Sequence, residues 1–388
     1  MTRAGSPPLL LVASDVHLGP HTPKRVDEAL ARLVARHPGH ELVLNGDIFD
    51  LSLAPRGEPV AGLIHDLITR TDELPQALRA HLSAGNQVSL VVGNHDAELL
   101  SPASREALLS ALSLTRDAPL EVHPWFIQRG AVHIEHGHLY DPDNAPTHPL
   151  VSWQPGTEPL GIALTRRFLV PSGATYFAHA HQTTPLKGLL DALRQYRGRA
   201  PRVIYQYFHA AINLTLEARS SAPGARQMRR ERDLGAERLL AFAERAGLDH
   251  ALIEELLLQA PAPTHHDFTR TFMRLYFDRV LSVVLGGLGA ALLLPLSRSA
   301  ALGLAGVATA YLAQSVLRQG SRYHDGPRAR LRAAAADVQR ATNAELVVFG
   351  HTHHEDAAPG YLNSGSFAFG PRLGASYLRL RGDQRLAT

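Results

Sequence analysis

Five short apolar runs, each ending in side chains that bind metals, constrain this chain more than anything else in it. "LLLVASDVHLG" ends in Asp15 and His17, "LVLNGD" in Asp47, and "VSLVVGNHD" in Asn94, His95 and Asp96. "AVHIEHGH" ends in His136 and His138, and "ELVVFGHTHHE" in His351, His353 and His354. Apolar runs of about four to six residues rich in Val, Leu and Ile read as buried strands. Helical stretches at 26–37, 62–81 and 327–342 alternate with them, which predicts an α/β layered core. In such sheets ligands gather beyond the carboxyl ends of the strands. Residues far apart in the chain are therefore expected to meet at one site. A single Asp or His after a strand is ordinary turn chemistry; the same punctuation at five strand ends points to a metal site.

Composition narrows the chemistry. The chain has 388 residues, 45% of them hydrophobic, enough for a sizeable core and a second unit. It contains 22 His and no Cys, which favours imidazole ligands and excludes disulfides, thiolate zinc sites and a thiol nucleophile. A net charge of +3 without a Lys/Arg stripe argues against nucleic acid as the partner. The first apolar run is too short, and too soon followed by charge, for a secretion signal, so a cytoplasmic protein is expected.

Taken in order, "D-x-H", "GD-x-x-D", "GNHD", "HGH" and "GHTH" resemble the calcineurin-like metallophosphoesterase superfamily, over roughly residues 8–142 and 343–380. The resemblance implies a four-layer sandwich of two mixed β-sheets flanked by helices, with a large helical insertion. It divides the chain into a first core part at 1–145, a helical cap at 146–325 and a second core part at 326–388. It also implies two divalent metal ions sharing one carboxylate. Asp15, His17, Asp47 and His353 resemble the ligands of one ion; Asp47, Asn94, His136 and His351 resemble those of the other. Asp47 would be the bridge. Imidazole, carboxylate and amide donors suit Mn, with Zn or Fe as alternatives, and not calcium.

The activity implied is hydrolysis of a phosphomonoester, phosphodiester or pyrophosphate by in-line attack of a metal-bridging hydroxide. His95 would assist the leaving group as electrophile or general acid, with Asp96 fixing its orientation. Asp50 is either a helix-starting residue or support for a ligand His. His138 is a substrate-side or supporting residue, and His354 a solvated loop position. In "GYLNSGSF" (360–367), Asn363 and Ser364 either bond a ligand or mark a plain strand-to-turn junction. Other readings are a nuclease or cyclic-nucleotide phosphodiesterase, and an inactive membrane-bound scaffold of the same fold.

The cap reads as helical at 186–197, 202–218, 231–247 and 249–260, from apolar residues at three-to-four spacing. Residues 280–317 differ: two apolar stretches split by "SRS", rich in Gly, Ala and Ser. Each is at the short end of what crosses a bilayer, and small residues suit close helix packing in lipid. Arg270, Arg274 and Arg279 precede the pair and Arg318 and Arg322 follow it, so a hairpin would put both basic flanks on the cytoplasmic side. A hairpin buried within the cap is the alternative. "GDIFDL" and "HGH" further resemble the branch containing UDP-2,3-diacylglucosamine hydrolase, although that branch generally has Arg where this chain has His95. With the hairpin, this makes a lipid-linked phosphoester the expected substrate.

Overall fold

The computed structural model describes residues 8–53, 59–174, 185–220, 222–319, 326–370 and 372–382. Arg322 and the ends of the chain thus lie outside the described residues. The first of two five-stranded sheets holds β1 (Leu9–Ala13), β2 (Glu41–Asn45), β3 (Val88–Val91) and β4 (Leu120–His123), all parallel. The second begins with β5 (Phe126–Arg129) and β6 (Val132–Glu135), continues with β7 (Leu346–Phe349), and closes with β8 (Glu355–Ala358) and β9 (Tyr361–Ser364) in the order β5-β6-β7-β9-β8. The last strand, β10 (Leu378–Arg381), returns to pair antiparallel with β1.

Side-chain alternation builds the layers. Leu10, Val12, Val43 and Val91 meet Ile134, Leu346 and Val348 of the second sheet in one apolar layer. Their neighbours Leu11, Ala13, Leu42 and Leu44 face the other way, with Leu30, Val34, Ile64, Leu78 and Leu108 of the helices Arg25–Arg36, Val60–Thr69, Glu73–Ser83 and Pro102–Ala111. On the far face, Val347 and Phe349 pack with Phe242, Ile253, Leu331 and Val338 of Ala222–Ala246, His250–Gln259 and Gly326–Thr342. The result is helix, sheet, sheet, helix: the expected four layers.

The stretch 62–81 is two helices rather than one, broken at Arg70–Asp72. The cap helices form at Pro185–Tyr196, Ala200–Ser220, Ala222–Ala246 and His250–Gln259. Asp249 caps the last of these by accepting from the Ala251 amide. The described chain divides into two units, 1–162 with 223–263 and 328–388, and 163–222 with 264–327. Of the residues expected as a cap, 146–162 and 223–263 therefore belong with the sandwich, because Leu239, Phe242 and Ile253 cover its second sheet.

In the second unit, a helical run from Phe277 to Leu293, with a π turn at Leu285–Gly289, folds back on a helix from Arg298 to Gln319. A Cβ on Gly286 would stand 2.4 Å from the Ala308 side chain, so the glycine lets the two backbones close. At the open end of the hairpin Tyr311 donates to Asp278 at 2.8 Å, and Arg279 donates to the Ser315 hydroxyl and carbonyl, both at 3.0 Å.

Candidate metal centre

Every expected ligand lies at or just past the carboxyl end of a strand: Asp15 and His17 after β1, Asp47 after β2, Asn94 after β3, His136 after β6, His351 and His353 after β7. Backbone bonding continues past the strands and fixes these loops to one another. The amides of Asp15, His17 and Leu18 donate to Gly46, Asp47 and Ile48 carbonyls at 3.1, 2.9 and 2.8 Å. Five of the expected ligand residues (Asp15, His17, Asp47, His351 and His353) adopt positive φ, between 49° and 67°. That region is unfavourable for residues with a Cβ and marks strain held by surrounding structure. The glycines beside the ligands are explained by contact. A Cβ on Gly93 would lie 2.2 Å from Asp47 Oδ1, and one on Gly46 2.3 Å from the His136 ring.

Two donor groups share Asp47. In one, Asp15, His17, Asp47 and His353 bring ligand atoms within 4.8 Å of one another; in the other, Asp47, His136 and His351 do the same. Asp47 Oδ2 faces both, 3.9 Å from His17 Nε2 and 3.2 Å from His136 Nε2. In the first group the Nε2 atoms of His17 and His353 face each other at 3.1 Å, and Asp15 Oδ1 stands 3.1 Å from the latter. In the second, His136 Nδ1 is 3.0 Å from the Asn45 carbonyl, a bond that leaves Nε2 as the donor atom. Asn94 Oδ1 is buried beside this group without a hydrogen-bond partner. Converging imidazoles, carboxylates and an orphaned amide oxygen, nearly all buried, fit divalent metal ions well.

His95 belongs to neither set. Its Nδ1 lies 2.9 Å from Asp50 Oδ1 and 3.0 Å from Ser52 Oγ, which itself donates to Asp50 at 2.6 Å. Burial opposes charge on this ring, but Asp47 and Asp50 overcome it and raise its pKa to about 9. Burial likewise raises the Asp50 carboxyl, and the neighbouring His95 more than reverses this, bringing it to about 2. Asp50 is therefore the carboxylate that orients His95. Asp96, expected in that role, differs: its oxygens accept from the amides of Ile48, Gly93 and Phe49 at 2.6, 2.7 and 3.3 Å. It braces the Asp47 and Asn94 loops together.

His138 is buried 5.4 Å from the His136 ring, and with Asn94 and Asn144 it lines a narrow recess walled by Pro124, Pro146 and Trp153. His354 is exposed, as expected. The side chains of Asn363 and Ser364 bond within the fold, as a strand-to-turn junction does. Asn363 donates to the Gly350 carbonyl and accepts from the Gly365 amide, and the Ser364 hydroxyl pairs with that of Ser14. The loop that follows carries Phe369, whose half-exposed ring stacks on His353 and tilts against His17.

Two further residues at the site, Asp141 and Asn144, belong to none of the five strand-end motifs. Asp141 Oδ2 is 3.1 Å from His351 Nε2, and Asn144 donates to it at 2.8 Å. The available signal is the polar run "DPDN", which starts three residues past "HGH", after Leu139 and Tyr140.

The layered fold and a strand-end cluster of His and Asp that could hold metal ions are the setting of a hydrolase acting on phosphoester bonds, the class that the family comparison gives. Residues 8–188 match the family model for calcineurin-like phosphoesterase, and the chain carries a domain of that family. His351 and His353 fall outside the matched span, so the structure is what joins them to the site. No curated protein matches the chain.

Proposed function

We propose that the protein hydrolyses a lipid-linked phosphoester or pyrophosphate with a pair of divalent ions, manganese foremost, at the cytoplasmic face of a membrane. The observation that carries the two-ion reading is the Asp47 carboxylate, shared between two donor groups. Asp15, His17 and His353 would complete one ion's set, and Asn94, His136 and His351 the other's. When bound, the ions would supply Lewis acidity toward the phosphoryl oxygens and an acidified attacking water. The protein's own contribution is positional. Asp50 and Ser52 hold Nδ1 of His95, leaving Nε2 to hold a proton for the leaving-group oxygen.

The lipid reading is supported by the hairpin. Arg298–Arg318 is long and apolar enough to cross a membrane, with a mean hydropathy of 1.5 and only 11% of it buried. Residues 300–317, free of charge, are about 27 Å long at helical rise, near the roughly 30 Å of a hydrocarbon core. Leu288, Leu292, Leu302, Val307 and Leu317 are each more than 60% exposed. Apolar side chains surround the hairpin, where a docking patch for a protein would be one-sided. Arg270, Arg274, Arg279 and Arg318 flank it, the pattern of a cytoplasmic side.

The test is a phosphoester panel with Mn, Zn and Mg, including nucleotides, cyclic nucleotides, single-stranded DNA and a nucleotide-linked diacyl sugar in mixed micelles. The reading expects metal-dependent turnover abolished by chelation and highest on an acylated substrate. Turnover of DNA or cyclic nucleotides alone would replace the lipid reading with a nuclease or cyclic phosphodiesterase. Silence across the panel would remove the enzyme reading.

A further inference from the structure

One loop governs most of the second donor group. Residues 136–145 begin with the ligand His136 and wind back through bonds from the Tyr140 amide to Gly137 and from the Asp141 amide to His138, each 3.1 Å. The amides of Asn144 and Ala145 then return to the Asp141 carbonyl at 2.9 and 2.7 Å. This winding sets Asp141 and Asn144 side by side, and each reaches a ligand on a different strand. Asp141 Oδ2 lies 3.1 Å from His351 Nε2, while Asn144 Oδ1 accepts from Asn94 Nδ2 at 3.3 Å. Asn144 Nδ2 closes the chain onto Asp141 Oδ2 at 2.8 Å. Asp141 and Asn94 are buried and Asn144 and His351 partly so, and the Gly161 backbone presses on Asn144 so that a Cβ there would meet its Oδ1 at 2.3 Å.

We propose that Asp141 and Asn144 are a positioning pair that selects the donor atoms of the ion shared by Asp47, Asn94, His136 and His351. This rests on the two-ion reading above. A carboxylate at Nε2 holds the proton of His351 there and leaves Nδ1 as the only nitrogen with a free lone pair. An acceptor at Nδ2 fixes the otherwise ambiguous Asn94 amide, so that its oxygen, and not its NH2, is presented. The buried, partnerless Asn94 Oδ1 is what that arrangement leaves. The two orientations are linked because Asn144 bonds both Asn94 and Asp141. The donor set of one ion is therefore chosen by a single loop, and the other ion's set is untouched by it.

The test is a Mn titration of the metal-free full-length protein, read by calorimetry and by the electron paramagnetic signal of the coupled pair. Wild type should bind two ions. Asp141→Asn and Asn144→Ala should each weaken one site by ~10- to 100-fold, the usual loss for an outer partner of a ligand. Both should leave the other site and the metal-free unfolding midpoint unchanged, and Asp141→Glu should restore most of the affinity. Wild-type binding at both sites in both variants overturns the pair. So does equal weakening of both sites with a lowered midpoint, which would make the loop a general scaffold. A wild type that binds fewer than two ions refutes the two-ion reading and the pair together, and is seen before any variant is made. Absence of phosphoesterase activity does not affect this readout.

Discussion

The backbone amide of His95 donates to Asp47 Oδ1 at 2.8 Å. One oxygen of the shared carboxylate thus holds the backbone of His95, while the other faces both donor groups. Because both donor sets use Asp47, its loss cannot be confined to one. Asp47→Ala should bring bound metal below one ion per chain, measured by elemental analysis, and turnover to background together. A variant that keeps one tight ion would show that the carboxylate does not bridge.

His95→Ala should separate metal binding from catalysis. Two bound ions should remain, and turnover should fall by ~10²- to 10⁴-fold, the range for lost acid–base help. Asp50→Asn should follow it in direction with a smaller loss, because the ring remains but its orientation is freed. Loss of an ion from the His95 variant would make it a ligand instead.

Gly93→Ala tests the close approach behind Asp47. The added methyl would fall 2.2 Å from Asp47 Oδ1 and 2.4 Å from its amide, and rigid backbone cannot yield that far. The expected outcome is weaker metal binding and lower stability in a thermal melt, although neither donor nor acceptor is removed. Wild-type metal affinity in this variant would mean the loops are looser than the geometry implies.

For the hairpin, carbonate and high-salt washes should leave the full-length protein in the membrane pellet. Replacing 280–317 by a short Gly-Ser linker should release it while sparing hydrolysis of a soluble chromogenic phosphodiester. Full-length protein in the detergent-free soluble fraction would sink the anchor and the lipid-linked substrate with it.

Acid should destabilise the protein partly through His148. Its Nδ1 accepts from the Leu150 amide at 3.2 Å, and burial, assisted by Arg238, lowers its pKa from 6.5 to about 4. The folded state holds this ring neutral, so its contribution is intact above pH 6.5 and is lost as pH falls from there to about 4. His148→Gln should flatten that part of the stability profile in chemical denaturation series. An unchanged slope would place the acid sensitivity elsewhere.

How much of this could be read from the sequence follows from what is local. Each expected ligand sits within a few residues of the strand that carries it, so the convergence of Asp15, Asp47, Asn94, His136 and His351 at one end of the sheets is legible from strand ends and the order of their motifs. The partners of these ligands are set by long-range placement. Asp141 meets His351 across 210 positions, and Asp50 meets His95 across 45. Nothing near Asp96 in the chain reveals that amides from the β2 loop occupy its oxygens. The same limit applies to Asn363 and Ser364, whose residue types suit a ligand but whose bonds are taken by Gly350, Gly365 and Ser14. The break at Arg70–Asp72 interrupts an apolar spacing that continues across it, and Pro75 in the first turn of the second helix is its local signal.

In the second sheet β7 lies beside β6, although the chain makes them more than two hundred residues apart. During synthesis at about 5–20 residues per second, roughly 10 to 40 s would separate the two. For that interval the edge of β6 that β7 will cover has no partner, and His136 stands without His351. The apolar hairpin is complete before β7 begins. Both donor groups that share Asp47 need a histidine that follows β7, so a chain stopped just before residue 346 carries the whole hairpin and no complete site.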